Sequence, residues 1–359
     1  MSLHLPFGAD TAPAAPVRVG MVGLGYWGPN LARAFHALPE TELAWVCDLD
    51  DAVLARSSRQ FPDARVTADL DEMLSDPALE AVAIATSVPT HRALAARALA
   101  AGKHVFVEKP LATTAADARF LVREAERSEL TLFVGHLLVH HPGVIKLKEM
   151  CDSGSLGDVR YIYTNRVNLG KVRQDENALW SLGPHDVAVL LYLLGEEPES
   201  VSAQGQCFIQ PGIEDVVFAL LRFRSGVIAH LQMSWLDPHK MRRATIVGSE
   251  KMAVFDDMRL EGKVTVYDKS VLRNDPESKP ASYGEYVQVR SGDIFSPQVS
   301  TEEPLRIECR QFARSVRGLE QPMTGGAQGV AVVEILEALQ TSLDAGGLSV
   351  GVGQLALAA

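Results

Sequence analysis

The sequence predicts an α/β protein: an N-terminal doubly wound Rossmann domain followed by an α+β domain with a mostly antiparallel sheet. Three observations predict it. From Val17 to His136, apolar runs of strand length alternate with helix-like stretches, the signature of βα units and a parallel sheet. Those runs are almost wholly apolar, as expected of strands covered by helices on both faces. After His136, strand-like runs follow one another with few helices between them, as in antiparallel sheets.

VRVGMVG opens the alternation and leads into a helix ending near Leu38. LAWVCD, AVAIAT, HVFVEKP and TLFVGH read as further strands, with a helix through Ala101 among the segments between them. A helix spans Pro142 to Asp152 and ends at Ser153-Gly154. VRYIYTNRVN, VSAQGQCFI, EDVVFALLRF and VIAHLQMSW are then strands, the last two joined by Arg224-Ser225-Gly226. In the last of them Ala229, Leu231, Met233 and Trp235 alternate with His230, Gln232 and Ser234, which gives the sheet one wet or pocket-lining face. Residues 268–300 are polar and hold Pro, Gly and Ser, so a long excursion is expected there, as an oligomer arm or an active-site cover. Helices near 302–317 and 326–344 are expected to pack back on the body. The domain division is a tail at 1–16, a first domain at 17–136 and a second at 137–350.

A chain of 359 residues exceeds what one hydrophobic core ordinarily supports, which favours two domains with a cleft between them. The 47% hydrophobic and 22% charged composition is that of a globular protein, and no apolar run approaches the ~18 residues of a membrane span. Residues 1–16 lack a basic start and a continuous apolar stretch, so a disordered Ala/Pro tail, no signal peptide and a cytoplasmic location are expected. Cys47, Cys151, Cys207 and Cys309 are scattered, giving neither metal-ligand spacing nor a disulfide framework. A net charge of -11 argues against a nucleic-acid partner, because phosphate backbones require a basic field.

Gly23-Leu24-Gly25-Tyr26-Trp27-Gly28 follows an apolar strand and opens a helix, the context in which glycines let the backbone approach a pyrophosphate at a helix N-terminus. Asp48 ends the next strand, about twenty positions after the last glycine, where a carboxylate takes the ribose hydroxyls and repels a 2′-phosphate; NAD is therefore favoured over NADP. Thr86-Ser87-Val88-Pro89-Thr90-His91 follows the AVAIAT strand at the carboxyl edge of the sheet, where ligands sit. For Thr90 a helix N-cap, and for His91 a first-turn surface position, stand open beside cofactor contact.

Glu108-Lys109-Pro110 closes HVFVEKP at the same edge. A lysine beside a cationic nicotinamide has a lowered pKa and can hold a developing alkoxide, and Pro110 is a candidate cis bond. In Gly183-Pro184-His185-Asp186, Pro184 suits a first helical position and Asp186 a first turn, while His185 suits a base for a hydroxyl proton. NRVNLGKVRQDEN supplies Arg166, Asn168, Lys171 and Arg173, a cluster able to receive a substrate anion. For Lys171 and Arg173 a solvated loop with Asp175 and Glu176 as partners is preferred, leaving Arg166 as the better binding candidate.

GLGYWGPN, VCDLD, TSVPTH, AGKHVFVEKPLA, and NRVNLG followed by LWSLGPHD occur in this order, and over 17–350 the chain resembles the Gfo/Idh/MocA family of NAD(P)-dependent oxidoreductases. The resemblance implies cofactor contacts from Gly23, Gly25, Tyr26, Trp27, Gly28, Asp48, Thr86, Ser87, Pro89, His91, Glu108 and Lys109. It implies a catalytic pair of Lys109 and His185, and a homo-oligomer built through the second domain. It also implies oxidation of a secondary hydroxyl, C3, of a nucleotide-activated sugar such as UDP-N-acetylglucosamine, with Lys109, Arg166, Asn168, Ser181 and His185 around it. Ser181 departs from the pattern: many members carry aspartate there, and a hydroxyl supplies no charge to raise the imidazole pKa. Rival readings are a free sugar or polyol dehydrogenase, a redox-neutral NAD-dependent enzyme and a non-catalytic NAD-binding regulator.

Overall fold

β1 (Val17–Val22), β2 (Thr41–Cys47), β3 (Arg65–Thr67), β4 (Ala81–Ile84), β5 (His104–Glu108) and β6 (Leu132–Gly135) form one parallel sheet in the order β3-β2-β1-β4-β5-β6. Its strand interiors are nearly all buried, because helices α1 (Gly28–Ala37), α2 (Asp51–Gln60), α3 (Leu70–Leu74), α4 (Val88–Ala100) and α5 (Ala115–Arg127) connect consecutive strands. The order reverses between β1 and β4, and the crevice outside their carboxyl ends is where such sheets bind ligands. The computed structural model describes residues 15–170, 172–273 and 287–353. The expected tail up to residue 14, Lys171 and the middle of the 268–300 stretch lie outside the described residues.

A short 3-10 turn, Leu137–His140, leads to α6 (Pro142–Asp152), β7 (Val159–Val167) and α7 (Ala178–Leu194). There follow β8 (Pro198–Gln206), β9 (Val216–Phe223), β10 (Ile228–Ser234), β11 (Met241–Gly248), β12 (Met252–Asp256), β13 (Val264–Arg273), β14 (Val287–Phe295) and, near the end, β15 (Val350–Gly351). They form a nine-stranded sheet ordered β14-β13-β12-β11-β7-β10-β9-β8-β15. Every pairing is antiparallel except β10 with β7. The alternation in β10 holds over its first part: Ala229, Leu231 and Met233 are buried against the helices, His230 is exposed and Gln232 half-buried, but Ser234, expected on the wet face, is buried. At the two ends of the expected excursion over 268–300, β13 and β14 extend the sheet at its edge, and residues 274–286 between them lie outside the described residues. Alternation over Val264, Val266, Thr265 and Tyr267 was strand signal hidden by the Pro/Gly/Ser content around it.

Two late helices form where the periodicity places them, α8 (Pro304–Val316) and α9 (Gly326–Asp344). The first returns to the parallel sheet: the Phe312 ring meets Phe35, Phe106 and Phe133 at centroid distances of 6.0, 5.6 and 5.7 Å. Leu305, Cys309 and Ala313 bury on the same stripe. Truncating such a buried phenylalanine typically costs ~3–5 kcal/mol, so a helix distant in sequence completes the first core. α9 packs Val332, Leu336 and Leu339 into the core of the second sheet and Val333 into that of the first. Among the described residues no helix is long and apolar enough to cross a membrane.

Candidate active site

The loop after β1 fits a dinucleotide pyrophosphate. Gly23 has φ +84°, and a Cβ there would lie 2.6 Å from Thr86 Cγ2; a Cβ on Gly28 would lie 2.0 Å from the Gly23 oxygen. Two glycines thus let the β1 loop, the β4 loop and α1 close on one another. A Cβ on Gly25 would meet nothing within 4 Å. α1 begins there with no side-chain cap and no acidic residue in its first turn, so its N–H donors and positive dipole end face open space suited to an anion. Asp48 sets the loop: its Oδ2 accepts from Leu24 N at 2.7 Å and its Oδ1 from Asp50 N at 3.0 Å. Each oxygen keeps acceptor capacity for a ribose hydroxyl. Tyr26, Ser87 and Pro89 are exposed around this crevice, and Thr86 is half-buried.

His91 is neither an N-terminal surface residue nor free to contact a cofactor through its ring. It is 1% exposed, with Nδ1 2.9 Å from Pro110 O and Nε2 3.2 Å from Thr86 O. Both nitrogens brace the β4 loop against the β5 loop. Ser87, not Thr90, holds the cap position of α4, and the Thr90 hydroxyl donates to Ser87 O at 2.7 Å.

At the end of β5 the Lys109-Pro110 bond is cis. The Lys109 main-chain N–H donates to Glu108 Oε2 at 3.1 Å, and the Trp27 side chain lies near the same carboxyl. Burial pushes the Glu108 carboxyl up to about 7 against the opposing pull of Lys109. Burial likewise draws the Lys109 ammonium below the ordinary lysine range, with Glu108 resisting. Lys109 Nζ donates to the Ser181 main-chain oxygen at 3.2 Å, reaching α7 one helical turn before His185.

α7 differs from the sequence expectation. Asn177 is its N-cap, accepting from Trp180 N, and Pro184 lies inside the helix; Pro184 is not a first helical residue and Asp186 is not in a first turn. The apolar surroundings of ALWSL and VAVLLYLL bury the helix nearly all round, and that packing outweighs the ~3 kcal/mol preference against an interior proline. Asp186 is held by Arg166: its Oδ1 accepts from Arg166 Nε and Nη2 at 3.1 and 2.8 Å, both residues buried. Arg166 is therefore a buried, paired cation holding β7 to α7, not the free anion receptor the sequence suggested. Arg173 lies 3.6 Å from Glu176, the solvated-loop arrangement. Asn168 is half-buried beyond the end of β7, its N–H donating to Ser234 O at 3.2 Å.

His185 Nδ1 is buried without a partner. Burial lowers the imidazole pKa well below 6.5, and Lys109, Arg166, His136 and Arg242 lower it further. With Ser181 in the preceding turn, the charges acting on the ring are all cationic, so it is neutral and able to accept a proton. A cation at Lys109 and a neutral imidazole at His185, at the carboxyl edge beside the dinucleotide crevice, can together take a hydroxyl proton and stabilise the oxyanion left behind.

Sequence reasoning missed two residues. His136 follows β6, next to Gly135, which pairs with Glu108, and is 1% exposed; its signal was a histidine just past the carboxyl end of the strand after EKP. Glu308 is 0% exposed with neither oxygen partnered; its signal was a charge inside the apolar stripe of α8.

Residues 17–136 match the oxidoreductase family with an NAD-binding Rossmann fold, and residues 144–254 match the GFO/IDH/MocA C-terminal domain. Myo-inositol 2-dehydrogenase of Thermotoga maritima is 25% identical over 339 residues, 91% of this chain and 96% of that protein. UDP-N-acetylglucosamine 3-dehydrogenase of Acidithiobacillus ferrooxidans is 29% identical over 241 residues, 67% of this chain and 74% of that protein. The structure of GenD2 from gentamicin A biosynthesis, in complex with NAD, superposes with a TM-score of 0.78 at 26% identity, covering 98% of this chain and 99% of that one. With both halves of its fold matched, the chain belongs to the Gfo/Idh/MocA family and is an NAD(P)-dependent oxidoreductase acting on CH–OH groups.

Proposed function

We propose that the chain is an NAD-dependent dehydrogenase that oxidises a secondary hydroxyl, C3, of a nucleotide-activated sugar such as UDP-N-acetylglucosamine. The observation that carries this reading is the hydrogen bond from Lys109 Nζ to Ser181 O, which sets the lysine one turn from a neutral, half-buried His185. Gly23, Gly25 and the start of α1 hold the pyrophosphate, Asp48 the ribose, and Trp27 and Glu108 line the nicotinamide end. Bound there, NAD supplies the hydride acceptor. His185 takes the hydroxyl proton, Lys109 holds the oxygen as negative charge develops on it, and Ser181 and Asn168 orient the sugar.

The identity to the UDP-N-acetylglucosamine 3-dehydrogenase supports the sugar nucleotide. The longer match to a myo-inositol 2-dehydrogenase supports a second reading, a free polyol. Purified protein with NAD, offered UDP-N-acetylglucosamine, UDP-N-acetylglucosaminuronate, dTDP-glucose and myo-inositol, separates them by which compound yields NADH. Turnover of myo-inositol alone overturns the sugar-nucleotide reading.

Homo-oligomerisation through the open face of the nine-stranded sheet belongs to the same proposal. That face exposes Tyr161 and Phe218 at 45% and 46%, unusually apolar for a solvated sheet. Sedimentation of wild type and Phe218→Glu tests it: a wild-type monomer contradicts it. A cytoplasmic location completes the reading, and four unpaired cysteines support it.

A further inference from the structure

We propose that His136 is a proton-relay residue, passing the proton taken by His185 out of the cleft and through an internal cavity to solvent beyond α7. The inference rests on His185 being the base.

His136 follows Gly135, which pairs with Glu108, so its ring stands at the carboxyl edge beside the Lys109 strand end. It is 1% exposed, and neither ring nitrogen has a partner among the described residues. Burying two idle imidazole nitrogens is costly, and the cost is relieved where water or a transient donor uses them. One neighbour has a matching vacancy: His185 Nδ1, also buried and unpartnered.

Behind His136 lies a cavity of about 230 Å³, with Lys148, Tyr192, Thr324 and Gln328 among its walls. A water takes roughly 30 Å³ of liquid volume, so the cavity has room for a short chain of waters along its polar wall, the opposite wall being apolar with Val139, Met323 and Val332. Ala188, Leu191 and Gly195 also line it, continuing at three- and four-residue steps the face of α7 on which His185 sits. Leu191, Gly195 and Gln328 are shared with an open groove of about 1130 Å³, whose rim carries Glu196, Glu197 and Glu199. The relay would run from His185 by way of His136 and the polar wall of the cavity to acceptors in the groove. Once cofactor and sugar fill the cleft, that side is closed to water.

The step balances. The substrate O–H bond breaks and its proton goes to His185 Nε2, while hydride leaves the same carbon for NAD and the carbonyl forms. His185 releases a proton from Nδ1 to a bridging water, that water gives one to the lone pair of one His136 nitrogen, and His136 releases one from its other nitrogen to cavity water. One proton per turnover reaches the groove. The charged and titratable groups around His136 are Lys109 on β5, His140 on the 3-10 turn, His185 on α7 and Lys148 across the cavity. Glu108 on β5, opposite Gly135, adds a buried carboxyl that burial raises to about 7. Burial, with Lys109 and His140, pushes the His136 ring down to about 3, which keeps its accepting lone pair free.

The test uses a compound on which wild type forms NADH and His185→Ala does not; failure to find that pattern counts against the proposed function, not against the relay alone. On it, His136→Ala is expected to lower kcat about tenfold or more, to leave KM and the NAD Kd within about twofold, and to enlarge the solvent deuterium isotope effect. Added 4-methylimidazole restores the rate in a saturable way, and His136→Gln shows the loss without rescue. A His136→Ala kcat within twofold of wild type overturns the relay, as does a loss that imidazole does not restore in a folded, NAD-binding variant. Independently of turnover, ¹⁵N-histidine spectra with NAD bound are expected to show a neutral His136 ring whose tautomer balance changes in His185→Gln; unchanged His136 signals overturn the coupling.

Discussion

Lys109 Nζ donates to the main-chain oxygen of Ser181 at 3.2 Å, binding the end of strand β5 to the first half of helix α7. The bond joins the sheet that carries the dinucleotide turn to the helix that carries His185. It also places a cation, in a site with no carboxylate in the preceding turn, beside the candidate base.

Ser181→Asp places a carboxylate there. An opposite charge within a few ångströms favours the imidazolium and raises its pKa by about 1–3 units. Because the reaction needs neutral His185, the acid limb of the kcat/KM profile is expected to move to higher pH by about one unit or more. A limb that stays in place shows that residue 181 does not act on His185.

Asp48→Ala removes the acceptor for the ribose and for Leu24 N, the latter bonded at 2.7 Å. Hydrogen bonds to charged groups contribute about 1.5–3 kcal/mol, so the NAD Kd measured by calorimetry is expected to rise about 10–100-fold. The NADP Kd rises less, because repulsion of its 2′-phosphate disappears at the same time.

Arg166→Met leaves Asp186 buried and unpaired. Breaking such a pair typically costs ~3–5 kcal/mol, and replacing both partners by apolar residues is far milder. Denaturant midpoints are expected to fall sharply for Arg166→Met and to recover largely in Arg166→Met/Asp186→Leu. Equal losses in both would mean that the ion pair is not what links β7 to α7.

Much of this was legible in the sequence. Apolar strand runs punctuated by helical stretches gave the parallel sheet, because buried strands tolerate little else, and glycines with an aspartate at the next strand end gave the dinucleotide crevice. α7 was misread because Pro184 and Asp186 fit a helix start locally, whereas packing of the whole ALWSLGPHDVAVLLYLL segment decides the start at Ala178. Arg166 looked available because its partner Asp186 lies twenty residues on. His91 and His136 were not recognisable as a brace and a buried edge residue, since their carbonyl contacts and cavity arise only when loops from different strands meet.

Two buried titratable groups should act on stability with opposite signs as pH changes. Burial pushes the His140 ring down to about 3. A histidine whose folded pKa lies below its unfolded value binds more protons unfolded, so stability is lost as pH falls below about 6.5, by roughly 1.4 kcal/mol per pH unit. His140→Phe is expected to flatten the acid-side decline of Tm. Glu308 has the opposite sign: burial, with Glu108, raises its carboxyl pKa well above 4.5, so folded-state stability is lost as pH rises above that value. Glu308→Gln is expected to match wild type near pH 4.5 and to exceed it increasingly above. An unchanged pH–Tm curve in either variant refutes that assignment.

The most direct measurement of the central claim is NADH formation from a sugar nucleotide by wild type, Lys109→Met and His185→Ala, with NAD affinity measured in parallel. The account predicts that both variants bind NAD as wild type does within a few-fold and lose about 10²-fold or more in kcat/KM. Near wild-type NADH formation by both variants would contradict it.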